Sequence, residues 1–163
     1  MDLFDVIQGR ASVRSLKPVD IPREDIERVL DAGRRAPSGL NVQPFSFIAV
    51  TDKETIRKLA APQAFIAEAS ALIAIVADSE ASKYWLEDIS AAAAQMLLAI
   101  HALGYVSCWV EGTLLRKEEE MKKLLGVPDH LRLMIFLPIG APAGSVQQSS
   151  KKSLDELVRW ETY

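Results

Sequence analysis

Apolar and polar positions follow two rhythms along the chain. Leu3, Phe4, Val6 and Ile7 fall at helical spacing with Gly9 as a stop, which predicts a short amphipathic helix over Asp2–Gln8. Ile26, Val29, Leu30 and Gly33 share one face of a second helix over Arg23–Arg35, and the early Glu24, Asp25 and Glu27 suit its dipole. Ala36-Pro37-Ser38-Gly39 breaks that helix. Phe45–Val50 reads as a strand and Asp52–Leu59 as a helix ending near Pro62. Ala71–Ala77 is uniformly apolar and reads as a strand buried on both faces. Tyr84–Leu103 is a long helix, and Tyr105–Val110 and Leu131–Leu137 are two more strands. Between those strands lies a helix over Leu115–Leu125, with Glu118–Lys122 and Glu119–Lys123 at the favourable i,i+4 spacing and Gly126 and Pro128 to end it. Ala141–Ser150 is a loop, and Leu154–Trp160 a last short helix. The alternation predicts one domain over residues 1–163, of α/β type, with four or five strands and helices on the faces.

The long helix changes this picture. Ile89–Leu103 carries no charge if His101 is neutral, and its polar residues are Ser90, Gln95 and His101. A helix that is apolar all round must be covered all round. Either the chain's own elements wrap it or part of its surface packs on a second subunit, and Ala91–Ala94 would allow a close helix approach. The second arrangement is the expectation.

Composition narrows the function classes. Nineteen Lys+Arg against twenty-two Asp+Glu give net −3, which disfavours a nucleic-acid or membrane-surface binder. One cysteine, Cys108, and two histidines leave no disulfide and no structural zinc set, so no metal is expected. No signal-peptide pattern and no membrane-length apolar run appear, which predicts a cytoplasmic protein. There is no P-loop, no Gly-x-Gly-x-x-Gly fingerprint and no nucleophile elbow. His101 reads as a buried or interface histidine, His130 as a surface one, and Cys108 as an inert buried thiol. Any enzyme activity therefore points to a bound cofactor.

Four segments carry candidate chemistry. Arg10-Ala11-Ser12-Val13-Arg14 sets two guanidiniums and a hydroxyl in five residues, a set that matches phosphate oxygens, or else forms a solvated basic loop. Pro37-Ser38-Gly39-Leu40-Asn41-Val42-Gln43-Pro44 is a constrained loop whose amides suit the edge of a planar heterocycle, or else bond only their own backbone. Gly104–Gly112 ends a strand in Glu111-Gly112, where α/β sheets gather ligands and glycine permits close approach. Lys151-Lys152 is a second basic spot, or a solvated loop before the last helix.

In this order and spacing the four segments resemble the FMN-dependent nitroreductase family. The family has Arg-Arg-Ser-x-Arg where this chain has Arg10–Arg14, and Ala-Pro-Ser-x-x-Asn-x-Gln-Pro-Trp where it has Ala36–Phe45. A charge-free central helix, Gly104-x-x-x-x-Trp109, and Ile139-Gly140-Ala141-Pro142 followed by Lys151–Leu154 complete the match. The resemblance implies an α+β fold, a mixed and mainly antiparallel sheet flanked by helices, in an intertwined homodimer with FMN at the subunit interface. It implies hydride transfer from NAD(P)H through FMN to a nitroaromatic or quinone acceptor by a ping-pong cycle. The alternative is a flavin-binding protein for storage, sensing or one specialised flavin reaction.

By the same resemblance Arg10, Ala11, Ser12 and Lys151 would meet the FMN phosphate, and Arg14 the phosphate or the flavin pyrimidine edge, where its charge would stabilise reduced flavin. Pro37, Ser38, Gly39 and Asn41 would line the isoalloxazine from the partner subunit, with Gln63 nearby. The Glu111 backbone N–H would meet flavin N5, with Gly112 beside it. Three residues depart from the family pattern. Ala11 replaces an arginine, Lys151 stands where an arginine is common, and Phe45 replaces a tryptophan. The first two would weaken FMN retention. The chain is short for the family and lacks a long insertion after Ala77, which implies an open site or one covered by the partner's Tyr84–Trp85 region.

Overall fold

The computed structural model describes residues 2–163. Its elements, in chain order, are α1 (Leu3–Gly9), β1 (Leu16–Lys17), α2 (Arg23–Arg34), β2 (Phe45–Val50), α3 (Lys53–Lys58), β3 (Ala71–Ala77), α4 (Trp85–Ala102), α5 (Gly112–Leu115), α6 (Glu118–Leu125), β4 (Arg132–Ile139), β5 (Ala141–Pro142) and α7 (Leu154–Leu157). β2, β3 and β4 form an antiparallel sheet in that order, with Phe45 opposite Ala77 and Ala71 opposite Ile139. β1 and β5 pair antiparallel beside it. One isolated parallel bridge, Ser12 to Ser107, makes the pairing mixed.

β3 is buried along its whole length, and alternate residues feed two apolar layers. Leu72, Ala74 and Val76 pack with Ile56, Leu59, Ile66, Leu114 and Met121 from α3, α5, α6 and the turn at Ala64–Glu68. Ala71, Ile73, Ile75 and Ala77 pack with Ile26 and Val29 of α2 and with Ile89, Ala93, Met96 and Ile100 of α4. The sheet is thus sandwiched between two helical layers. α2 meets α4 closely at Gly33, where any side chain would collide with Met96.

Three expectations fail here. Tyr105–Val110 is not a continuous strand. It makes only isolated antiparallel bridges, Val110 to Phe136 of β4 and Val106 to Gly140 just beyond that strand. The intervening pair would set Cys108 against Pro138, which has no N–H to donate, so the ladder is broken there. The helix expected over Leu115–Leu125 is two pieces. A turn from Lys117 N–H to Leu114 O ends α5, and α6 begins afresh on Glu118, Glu119 and Glu120 at its positive end. The last helix stops at Leu157 rather than Trp160, because everything from Ser149 onward is exposed and no packing sustains a short helix.

The i,i+4 pairs expected on α6 also give way to tertiary contacts. Glu118 turns to β4 and accepts from Arg132 Nε at 2.8 Å, Arg132 Nη2 at 3.0 Å and the Leu133 N–H at 3.0 Å. Lys122 is buried, and its Nζ donates to Asp129 O at 2.9 Å. Burial pushes the Glu118 carboxyl up, but its hydrogen bonds to Arg132 and to the Leu133 amide outweigh this, and the net shift is downward. A depressed folded pKa stabilises the fold above the ordinary carboxylate range and loses that contribution as pH falls through the folded value. Glu118→Gln is therefore expected to cost about 1–2 kcal/mol at pH 7. The gap from wild type should narrow at a pH well below the ordinary glutamate range, as the Glu118 carboxylate takes up its proton. Urea midpoints at the two pH values check this.

α4 keeps Asp88, Ile89, Ala92, Ala93, Met96, Leu97 and Ile100 inside, but the chain does not wrap it: Ala94 and Ala102 are exposed and Ala91, Gln95 and Leu98 half-buried. The alternative in which the chain's own elements wrap the helix is therefore not what the described residues show. No helix among the described residues is long and apolar enough to cross a membrane. No group of three His, Cys, Asp or Glu among them is placed to hold a metal ion.

Candidate functional site

A cleft of about 620 Å³ opens beside the outward face of α4. α1 ends at Gly9, and the chain leaves it extended through Arg10. The Val13 N–H donates to Ser107 O at 3.0 Å, which ties this segment to the Val106–Val110 stretch. Alternation then sends Arg10 and Ser12 into the cleft and Ala11 into the core. Lys151, far down the chain, lines the same cleft. Ile7, Ala94, Leu97 and Leu98 give it an apolar floor, and Trp109 one wall.

Gln148 holds this corner together. Its Nε2 donates to Arg10 O at 2.8 Å and to Ile7 O at 3.2 Å, capping the end of α1 and bringing the Lys151 loop against Arg10. Sequence reasoning missed Gln148, which sits in a polar run without periodicity. Three of the residues expected at a phosphate, Arg10, Ser12 and Lys151, are thus brought together from opposite ends of the chain. The donor set is two cations and a hydroxyl beside an apolar floor and an indole. It suits a phosphorylated ligand with a flat apolar body.

Ala11 and Arg14 are not part of this cleft. The Ala11 side chain is 7% exposed and packs near Leu97, Ile100 and His101. Arg14 is exposed, and its charge acts on Cys108, whose thiol burial pushes up to about 11 against Arg14's opposing pull. Cys108 is fully buried, as an inert thiol should be.

Glu111 and Gly112 stand where the Val106–Val110 segment turns into α5. Trp109 Nε1 donates to Glu111 Oε2 at 2.7 Å, so the indole that walls the cleft also fixes the Glu111 side chain. Among the described residues the Glu111 backbone N–H meets no acceptor. Gln63 Nε2 donates to Thr113 Oγ1 at 3.0 Å, which brings Gln63 to the start of α5.

Pro37, Ser38, Gly39 and Asn41 do not reach this cleft. They form a tight loop at the other end of α4, against Tyr84 and Asp88. Leu40, Asn41 and Gln43 all have positive φ, at 53°, 58° and 55°. The Gln43 amide bonds its own backbone, donating to Asn41 O at 3.2 Å, while the Asn41 side chain is exposed. Within one chain the loop and the cleft lie two to three helical turns apart along α4. A second hollow of about 400 Å³, between α2 and β2, is lined by Ile21, Ile26, Leu30 and Thr51 and holds none of the residues expected at the site.

The family model described as Nitroreductase family matches residues 7–64 and 60–141. A protein of Archaeoglobus fulgidus, provisionally named an NADH dehydrogenase/NAD(P)H nitroreductase, is 37% identical over 150 residues, 86% of each chain. An FMN-dependent nitroreductase from Clostridium difficile superimposes with a TM-score of 0.88 at 25% identity, covering 99% of this chain and all of that one. An iodotyrosine deiodinase of Thermotoga neapolitana is 27% identical over 189 residues, 99% of this chain and 98% of its own.

Proposed function

The chain belongs to the nitroreductase family, and from that membership we propose that it is an FMN-dependent oxidoreductase that moves two electrons from NAD(P)H to an oxidised acceptor of nitroaromatic or quinone type. The convergence of Arg10, Ser12 and Lys151 on one cleft carries this reading. Arg10 and Lys151 neutralise a phosphate of nearly two negative charges, and Ser12 adds a hydroxyl donor. Leu97, Leu98, Ala94 and Trp109, which line the same cleft, would offer apolar surface to the flat ring. The Glu111 N–H is free to donate to ring atom N5, which orients the atom that exchanges hydride. When bound, FMN supplies the redox centre that the chain's own side chains lack. By the family likeness, donor and acceptor would use one open position in turn, a ping-pong cycle.

The site is completed by a second copy in this reading. Pro37, Ser38, Gly39 and Asn41 come from the partner across the outward face of α4, which the chain leaves uncovered. Leu3 and Phe4 of α1 and Leu154, Leu157 and Trp160 of the tail add apolar surface that a homodimer would bury. The outer edge of β2 is likewise unpaired among the described residues.

The deiodinase likeness supports a second reading, one specialised flavin reaction in place of general reductase activity. A visible spectrum of purified protein, taken without oxygen before and after NADH or NADPH, decides between them. Flavin bands that bleach with either donor support the reductase. Bands that persist with both favour the specialised reaction. A colourless protein that takes up no FMN overturns both.

A further inference from the structure

We propose that Asp88 is a positioning residue that holds the loop over residues 38–43 in the shape needed to meet the flavin; the inference rests on the flavin reading above. Asp88 is 4% exposed, in the first turns of α4. Its Oδ1 accepts from the Gly39 N–H at 2.8 Å. Its Oδ2 is buried and meets no donor within the described residues. A half-satisfied buried carboxyl is costly, and the bond to the Gly39 N–H is the one side-chain hydrogen bond that offsets this cost among the described residues.

That bond reaches a loop which needs holding. Leu40, Asn41 and Gln43 adopt positive φ within four positions, a conformation that side chains other than glycine's resist. The loop's internal bonds tie it only to itself: Asn41 N–H donates to Ser38 O at 2.9 Å, Val42 N–H to Gly39 O at 3.1 Å, Gln43 N–H to Ser38 Oγ at 3.2 Å and Gln43 Nε2 to Asn41 O at 3.2 Å, while Leu40 is 91% exposed. Asp88 is the tie from this loop to the helical frame, and Gly39 lies so close to the Tyr84 ring that a side chain there would collide with it. The loop carries Ser38, Gly39 and Asn41, the groups assigned to the flavin. α4 thus floors its own chain's cleft with Ala94, Leu97 and Leu98, while its other end, through Asp88, holds the loop that would serve the partner's cleft.

The test compares the full chain with Asp88→Ala, which removes the acceptor, and Asp88→Asn, which keeps a carbonyl oxygen for the Gly39 N–H. Loss of one buried hydrogen bond shifts an equilibrium by about tenfold. Amide hydrogen exchange without FMN should be about tenfold faster over residues 39–43 in Asp88→Ala, with β3 amides unchanged, and near wild type in Asp88→Asn. FMN titration by flavin fluorescence should show about tenfold weaker binding for Asp88→Ala and less than about threefold for Asp88→Asn. Uniformly faster exchange across the chain, unchanged loop exchange, FMN affinity unmoved in Asp88→Ala, or Asp88→Asn as impaired as Asp88→Ala each overturns the positioning role. A wild-type chain that binds no FMN overturns the flavin reading, while the exchange measurement, made without flavin, still decides whether Asp88 holds the loop.

Discussion

An Arg10→Glu chain is expected to elute from gel filtration colourless under conditions where the wild type carries FMN. Arg10 combines three properties that the other cation of the cleft lacks. Its guanidinium is charged at every relevant pH and forks onto two phosphate oxygens. Its backbone is fixed, because Gln148 holds its carbonyl at 2.8 Å and its own N–H donates to Val6 O at 3.0 Å. It is also half-buried, whereas Lys151 is exposed on a loop. Losing a charge-assisted bond costs about 1.5–3 kcal/mol, and a carboxylate facing the phosphate adds repulsion, so Kd for FMN should rise at least a hundredfold. Lys151→Ala should cost about threefold to tenfold, because an exposed flexible cation contributes little more than a surface ion pair. Retained flavin colour in Arg10→Glu would sink the assignment of this cleft to the phosphate. The far-ultraviolet spectrum should be unchanged, since the Arg10 side chain supports no element of the fold.

The same corner shows how far sequence reasoning reaches. Arg10, Ser12 and Lys151 could be nominated together from the sequence because motif order does not depend on distance along the chain, and the structure brings the three to one cleft. Their meeting was not itself legible, because it is made by Gln148 bonding α1 across 138 positions, and nothing in the run Gln147-Gln148-Ser149-Ser150 singles out one amide. Ala11 was placed with the phosphate by its motif position, but an extended segment sends adjacent side chains to opposite faces, and the structure turns Ala11 inward. Asp88 gave no signal as a loop anchor. In the sequence it is an ordinary acid at a helix start, and its meeting with Gly39 depends on how α4 lies against the loop.

The fold divides along similar lines. β3 and α4 were legible because both are long and strongly patterned, and their observed bounds fall within two residues of those expected. The Tyr105–Val110 strand failed through its neighbour: Pro138, on the facing strand, withholds the donor. The pair Glu118–Lys122 failed because Arg132 and the Leu133 amide offer Glu118 three donors, while the buried Lys122 ammonium turns to Asp129 O. Both failures are tertiary contacts overriding a local preference. The uncovered face of α4 is the reverse case. There the local reading, too much apolar helix for one chain to wrap, anticipated the surface that the structure leaves open.

Ala94→Arg is expected to leave the protein monomeric, at a mass near 18.0 kDa by light scattering where the wild type shows twice that. Ala94 is exposed on α4, and no charged residue lies between Ile89 and Ala102 to pair with an arginine placed there. In the proposed dimer the equivalent helix crosses this face closely, as small side chains permit. A guanidinium would then be desolvated without a partner, at a cost of several kcal/mol. An interface of ordinary strength would lose a hundredfold or more in affinity from that alone. Ala102→Arg, at the exposed C-terminal end of the helix, should be milder, because its side chain can reach solvent. FMN should also leave Ala94→Arg, both because Ser38 and Asn41 would go with the partner and because Ala94 itself lines the cleft. A wild-type chain already monomeric at micromolar concentration, or an Ala94→Arg chain that stays paired, would remove α4 from the interface and require the loop over residues 38–43 to find its ligand another way.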